Sequence, residues 1–576
     1  MDRPSSIDNK YRFDNFFNDE CMPYKINGRL PAMGWNSWNA FGSGNNEELT
    51  RAMAQKIKEL ELDKFGYKYI VLDDGCYNNQ RIDGKLCNNP EKFPSGFRAL
   101  ADYIHSLDLK FGMYNDIGTR LCSGLEVGTH GHEALDAESY LEWDIDFIKV
   151  DNCYYMWDNA TFADPENARY TFAPNIKAIR IDGEEIPLSS VMITGPVARI
   201  EDDHITFIGT YDGTAPDHSP VGDRSSEVRL VVSSSEDRKA SVSITYSTGK
   251  EEGKGAWLQL AVDDKVFYDD LLPESDDYID SENIEVELKK GNNVLRIMNH
   301  RRQENTLRSY AALMEQLDIQ GGKDILLSCC EWGKTQPQHW GYKVGNSWRI
   351  LNDITFAVGS AEGDFGTAAW DGDYTTNITA QYNKAVIMDE FAGLDKGWND
   401  PDMLVIGMNG IDLTMNRSHM AMWCMLNSPL FLGLDLRRVA KGDELYKIIT
   451  NKDLIDLNQD ALGIQAKRIF TTKKCDDPSK KYIREIDRID VLVKPLSDGS
   501  IAVGIFNIDK NDREDEISIS LDDIRKMIKL DESFVRSGSF MFTDLWTKES
   551  EVRSSMSINI KGMKACDNIV YKVAPV

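Results

Sequence analysis

Carboxylates stand in this chain where apolar runs end. The segment "YKYIVLDDGCY" (67–77) carries Tyr69–Leu72 straight into Asp73 and Asp74. Charges beside such a run are costly to bury unless something pairs with them. A metal site would want more clustered acid or histidine ligands, and none of the 8 histidines lies nearby, so no metal is expected. A phosphoaspartate nucleophile would want a spaced Asp pair and a threonine, which "LDDGCY" does not supply. Adjacent strand residues point to opposite faces. The pair therefore reads as two acceptors of hydroxyl hydrogens rather than as a facing acid and base.

In "FIKVDNC" (147–153), Lys149 and Asp151 are two apart and share one strand face. Lys149 is expected to favour the ionised form of Asp151. Such a carboxylate is a candidate nucleophile or base, and a structural ion pair fits the segment equally well. In "NSWRILNDI" (346–354), Arg349, Leu351 and Asp353 share parity, with Asp353 at the strand end. A general acid at Asp353 must carry its proton before attack. Two carboxyl groups ~5–5.5 Å apart define a retaining glycosidase and ~6.5–9.5 Å an inverting one; the sequence sets no distance. "CCEWG" (329–333) and "GWNDPDM" (397–403) add Glu331, Trp332, Trp398, Asp400 and Asp402, and Trp35 and Trp38 add aromatic surface. Each Trp alone is more often core than ligand platform. Aromatic faces and carboxylates without phosphate-binding glycine loops suit a neutral polyhydroxylated ligand.

Strands must deliver these residues. Short apolar runs end at 31–42, 67–75, 109–118, 145–155, 324–333, 346–354, 397–407 and 428–436. Helical patterns follow several of them, as at 47–62 (capped by Asn45 or Asn46), 95–107 and 133–143. Eight such units predict an α/β fold, a (β/α)₈ TIM barrel whose working residues lie at the C-terminal strand ends. An open doubly wound sheet competes, but no glycine-rich dinucleotide fingerprint follows any strand. After the fourth strand the regularity breaks, and the next clear helix is 304–318. Period-2 alternation between them predicts an inserted β-sandwich at 172–303, dividing the barrel into 1–171 and 304–465. Alternation returns at 466–576, which reads as a C-terminal antiparallel β-sandwich.

Composition narrows the partners. The 576 residues are 41% hydrophobic and 28% charged, ordinary for a globular chain. A formal net charge of −28 argues against nucleic acid and against anionic membrane surfaces. No apolar run approaches the ~18 residues of a membrane span. No charged-then-apolar signal pattern opens the chain. It is expected to be cytoplasmic, or secreted with its signal removed. Ten cysteines in this length do not make a disulfide scaffold. A homo-oligomer stays open.

In order, "MGWNSWNAFG", "YIVLDDGCY", "FGMYNDIG", "DFIKVDNC", "CEWG", "GNSWR…DI" and "GWNDPDML" resemble glycoside hydrolase family 27. The likeness spans roughly 29–158 and 304–470, with a looser likeness at the C-terminus. That family comprises retaining α-galactosidases and α-N-acetylgalactosaminidases on a (β/α)₈ barrel with a C-terminal β-sandwich. The resemblance implies Asp151 as nucleophile and Asp353 as acid/base, with no cofactor. It implies that Asp73 and Asp74 bind O4 and O6 of galactose, that Lys149 holds O3 and O4, and that Glu331 and Arg349 hold O2. Trp35, Tyr114, Trp332 and Asp402 match other pocket positions, and Cys122 and Cys153 match a disulfide beside the nucleophile. Glu331 would crowd the acetamido group of N-acetylgalactosamine. An intact Asp74 argues against β-L-arabinopyranosides, whose sugar lacks C6. The expected substrate is therefore an α-galactoside, small or oligosaccharide. Those two sugars are the alternatives, and a non-catalytic galactoside-binding protein is the third.

Two features depart from the family pattern. Gly75 and Cys76 stand where a Cys–Trp pair is usual. The 172–303 insert is not part of the common core. Its "VELKKGNNVLRI" hairpin and Trp257 are similar to carbohydrate-binding β-sandwich modules, and an architectural or dimerising role fits equally well.

Overall fold

A computed structural model describes residues 25–155, 162–163, 170–172, 174–194, 198–206, 208, 227–248, 254–263, 265–298, 302–372 and 376–576. Eight strands form one parallel sheet: β1 (Met33–Asn36), β2 (Tyr69–Val71), β3 (Lys110–Asp116), β4 (Phe147–Asp151), β5 (Leu326–Cys330), β6 (Ser347–Arg349), β7 (Trp398–Asp400) and β8 (Leu430–Leu432). Neighbours in sequence are neighbours in the sheet, and β8 pairs with β1. Leu404, just past β7, bridges Leu432 in parallel and closes the ring. The eight expected runs are these eight strands, and the barrel is the expected one. Helices α1 (Glu47–Glu59), α2 (Phe97–Ser106), α3 (Glu133–Glu142), α4 (Arg302–Ile319), α5 (Ile378–Ala385) and α6 (Leu413–Met425) accompany it. Asn46 caps α1, its side chain accepting from the Leu49 amide at 2.9 Å. No helix among the described residues is long and apolar enough to cross a membrane.

Strand alternation explains what fills the barrel. Odd positions of β4 (Phe147, Lys149, Asp151) face inward, and even ones (Ile148, Val150) join the core beneath the helices. The same rule turns Leu326, Ser328 and Cys330 of β5 inward and Leu327 and Cys329 outward. The interior is therefore layered. Lowest is an aromatic layer, with Phe147 packed at a tilt against Tyr69 (ring centroids 5.7 Å) and Phe431 (5.2 Å). Above it Asn36, Lys149, Ser328, Arg349, Asp400 and Asp402 surround a small chamber of about 30 Å³. That is room for an ordered water. The open cavity lies above this polar layer.

The described strands between Asn175 and Met298 make two antiparallel sheets. They share one core, to which one sheet gives Ile179, Val242 and Ile244 and the other Val228, Leu260 and Ile297. This is the sandwich that alternation predicted. Its "VELKKGNNVLRI" segment is not a hairpin. Ile284–Leu288 pairs with Arg238–Val242 in one sheet, whereas Gly291–Met298 pairs with Glu227–Ser234 in the other. The turn at Lys289–Lys290 crosses between sheets because both faces must meet in the shared core. The side chain of Trp257 lies outside the described residues.

At the C-terminus a six-stranded sheet and a two-stranded one enclose a third core, including Val491, Val503, Ile517 and Ile558. Charged groups lock it to the barrel. Arg468 and Arg488 both pair with Asp490 and are fully buried with it. Tyr382 of α5 donates to Asp490 Oδ2 at 3.1 Å, and Arg488 donates to Asn383 Oδ1 at 2.6 Å.

Candidate active site

A cavity of about 420 Å³ opens at the C-terminal ends of the strands. That volume suits a small-molecule ligand. Asp73, Asp74, Tyr114, Lys149, Asp151, Trp332 and Asp353 line it, together with Cys122 and Cys153.

Register places the central group. Tyr114 on β3 lies opposite Lys149, and Cys330 on β5 lies opposite Asp151. Asp151 Oδ2 accepts from the Tyr114 hydroxyl at 3.0 Å. Asp151 Oδ1 accepts no N–H or O–H hydrogen bond among the described residues, and Lys149 Nζ stands 3.9 Å from it. Burial pushes the Asp151 carboxyl up to about 7; Lys149 opposes that shift and Asp73 adds to it. Lys149 was expected to dominate, but losing water outweighs one neighbouring cation here. Burial also opposes the charge on Lys149, yet Asp151 and Asp73 more than offset it and hold its amine above the ordinary value.

Asp73 and Asp74 both reach the cavity, contrary to the opposite-face expectation. β2 stops at Val71, so strand alternation no longer governs them. Asp73 Oδ2 accepts from Lys149 Nζ and from Asn36 Nδ2, each at 2.9 Å. Asp74 accepts from Ser123 through both its amide (2.8 Å) and its hydroxyl (3.0 Å). Burial raises the Asp74 carboxyl, and the Ser123 bonds oppose that shift. The glycine after the pair has a steric reason. Gly75 has φ +97°, and a Cβ there would meet the Ser43 Cα and carbonyl oxygen at 2.8 Å. Cys76 behind it is a buried free thiol.

Asp353 Oδ1 accepts from Trp332 Nε1 and from Arg349, each at 3.0 Å. Arg349 also reaches Asp402 Oδ2 at 3.0 Å. Asp402 in turn accepts from the Ile354 amide, next in sequence to Asp353. Arg349 and Asp402 thus belong to the polar layer beneath the cavity and brace Asp353 from below. Cys122 and Cys153 are disulfide-bonded, with Cys122 Sγ 3.2 Å from Asp151 Oδ2. Asp116 at the end of β3 supports this corner, accepting from the Cys153 amide at 2.6 Å.

Besides Arg349 and Asp402, which lie beneath the cavity rather than lining it, two further residues expected in the pocket are elsewhere. Trp35 is fully buried in the core, packs on Phe41 and donates to the Leu434 carbonyl at 2.9 Å. Its neighbour Asn36 faces the barrel interior, so alternation turns Trp35 outward, and Trp38 lines the cavity instead. Glu331 is also fully buried, its Oε2 accepting from the amide (2.7 Å) and hydroxyl (2.9 Å) of Thr335. Burial raises its carboxyl to about 8, against those bonds. Because Cys330 faces inward opposite Asp151, the next residue faces away. Strand parity in "CCEWG" already carried that signal. Trp398 is core as well, donating to the Arg29 carbonyl at 3.0 Å. Ser123, Lys334, Asn352 and Phe356 line the cavity without having been singled out, all in loops that no periodicity marks.

Such an arrangement can hold a neutral polyol against carboxylates and a lysine while two further carboxylates act on it. A family model for alpha galactosidase A matches residues 30–173 and 297–460, passing over 174–296. A second, for the alpha galactosidase C-terminal beta sandwich domain, matches 487–566. The chain is 26% identical over 482 residues to an alpha-galactosidase of Cyamopsis tetragonoloba, covering 83% of this chain and 73% of that protein. It is 25% identical over 552 residues to alpha-galactosidase A of Cellvibrio japonicus, covering 95% and 92%. A solved structure of the Saccharomyces cerevisiae alpha-galactosidase with raffinose superposes with a TM-score of 0.61 at 20% identity, covering 96% of this chain and 100% of that one.

Proposed function

The chain belongs to glycoside hydrolase family 27, the α-galactosidases, and on that premise we propose that Asp151 and Asp353 divide the hydrolysis between them. The reaction is release of terminal α-D-galactose with retention. Asp151 is the nucleophile. Its carboxylate attacks the anomeric carbon as the bond from that carbon to the leaving oxygen breaks, and Asp353 passes its proton to that oxygen. The galactosyl ester on Asp151 is then cleaved by water, whose proton Asp353 takes up.

One observation carries this reading: Asp151 and Asp353 line the same cavity, and they are held differently. Asp151 is fixed through Oδ2 by Tyr114, and its Oδ1 accepts no N–H or O–H hydrogen bond among the described residues. Asp353 is fixed through Oδ1 by Trp332 and Arg349, which leaves Oδ2 for the proton. Asp73, Asp74 and Lys149 bind the sugar hydroxyls. Glu331 and Trp35 take no part, and Arg349 and Asp402 act from beneath by holding Asp353. The oligosaccharide substrate carries galactose at its non-reducing end, and the raffinose held by the Saccharomyces enzyme is the model for it.

The discriminating assay compares kcat/KM on aryl α-D-galactopyranoside, aryl β-L-arabinopyranoside and aryl α-N-acetylgalactosaminide. The galactoside is expected to be fastest. A higher value on either of the others overturns the sugar assignment.

A further inference from the structure

A single side chain, that of Ser123, grips Asp74. Ser123 donates its amide to Asp74 Oδ2 and its hydroxyl to Oδ1, at 2.8 and 3.0 Å. No other side chain among the described hydrogen bonds holds this carboxylate; the Gly75 amide completes its contacts at 2.6 Å. Ser123 is itself fixed. It lies in a tight turn closed by the Gly124 amide on the Leu121 carbonyl (2.8 Å) and the Leu121 amide on the Leu125 carbonyl (2.9 Å). The residue before it, Cys122, is tied by the disulfide to Cys153, two residues beyond Asp151. One short turn thus joins the end of β4, which carries the nucleophile, to the carboxylate that follows β2.

We infer that Ser123 is a positioning residue for sugar selection: it aims Asp74 at the C6 hydroxymethyl group, and the disulfide sets where Ser123 stands. This rests on the reading of Asp74 as the acceptor for that hydroxyl. Two donors from one residue leave the carboxylate little rotational freedom. A buried anion with two well-formed charge-assisted bonds is held firmly, and a site built to bond a hydroxyl discriminates against the sugar lacking it. The Ser123 hydroxyl therefore contributes to selectivity rather than to bond breaking.

The test is the ratio of kcat/KM for aryl α-D-galactopyranoside over aryl β-L-arabinopyranoside, sugars that differ by the hydroxymethyl group. It is measured in wild type, Ser123→Ala, Ser123→Thr and Asp74→Asn. Ser123→Ala is expected to lower the ratio about tenfold, the size of a lost bond to a charged group. Ser123→Thr, which keeps both donors, restores it. A ratio unchanged in Ser123→Ala while Asp74→Asn collapses it overturns the role of Ser123. A ratio unchanged in Asp74→Asn overturns the reading of Asp74 itself, and the inference falls with it.

Discussion

Asp151→Ala lowers hydrolysis of an aryl α-galactoside by about ten-thousand-fold or more, the scale of losing a covalent nucleophile. Added azide restores turnover, because a small anion fits the space the carboxylate vacates. The product is then β-galactosyl azide, since azide attacks from the face Asp151 occupied. A merely structural Asp151 would give neither rescue nor that product. The isosteric Asp151→Asn adds a stability readout. Burial raises the Asp151 carboxyl to about 7, above its unfolded value of about 3.9. The folded state therefore binds the proton more tightly, and stability falls as pH rises through this window. Asp151→Asn, neutral throughout, should melt above wild type at pH 8, and the gap should close toward pH 4. A variant that melts lower at pH 8 would mean that Lys149 and Tyr114 need the anion more than burial penalises it.

Asp353→Ala gives the second large effect, and its size depends on the leaving group. A galactoside with a poor leaving group, such as an oligosaccharide, needs the proton in the first step and loses about a hundred- to ten-thousand-fold. Galactosyl fluoride needs no such proton, so its first step survives while the second lacks its base. The galactosyl enzyme then accumulates. Azide, which needs no deprotonation, accelerates its breakdown to α-galactosyl azide. Equal losses on both substrates would remove Asp353 from the acid role. Arg349 and Trp332 meet on Asp353 Oδ1, so the variant also frees two buried donors. The comparison between leaving groups within the one variant is therefore the informative number.

Much of this site was legible in the sequence for a geometric reason. Lys149 and Asp151 share a strand face by their spacing, and a barrel turns that face into its mouth; β4 does so. The eight-strand count held because each strand ends in a turn that the apolar pattern marks. Failures came where the pattern stops. Asp73 and Asp74 lie past the last paired residue of β2, so strand alternation misplaced them. Trp35 and Glu331 were assigned through motif likeness, and local parity placed each on the other face. Ser123, Asn352 and Phe356 come from loops whose approach to the cavity is set by tertiary packing, chiefly the disulfide and the polar layer below. No local periodicity encodes that. The balance at Asp151 was missed for a different reason. A neighbouring lysine is visible in sequence, whereas burial is a property of the assembled barrel.

The account stands on Asp151 being a nucleophile rather than a base. The most direct test is the anomer released first, read by proton NMR during the opening minutes of hydrolysis of an aryl α-galactoside, before mutarotation mixes the products. Double displacement through Asp151 predicts α-galactose first, with the β anomer appearing only as mutarotation proceeds. β-Galactose appearing first would mean that water attacks directly, and would contradict the roles given to both carboxylates.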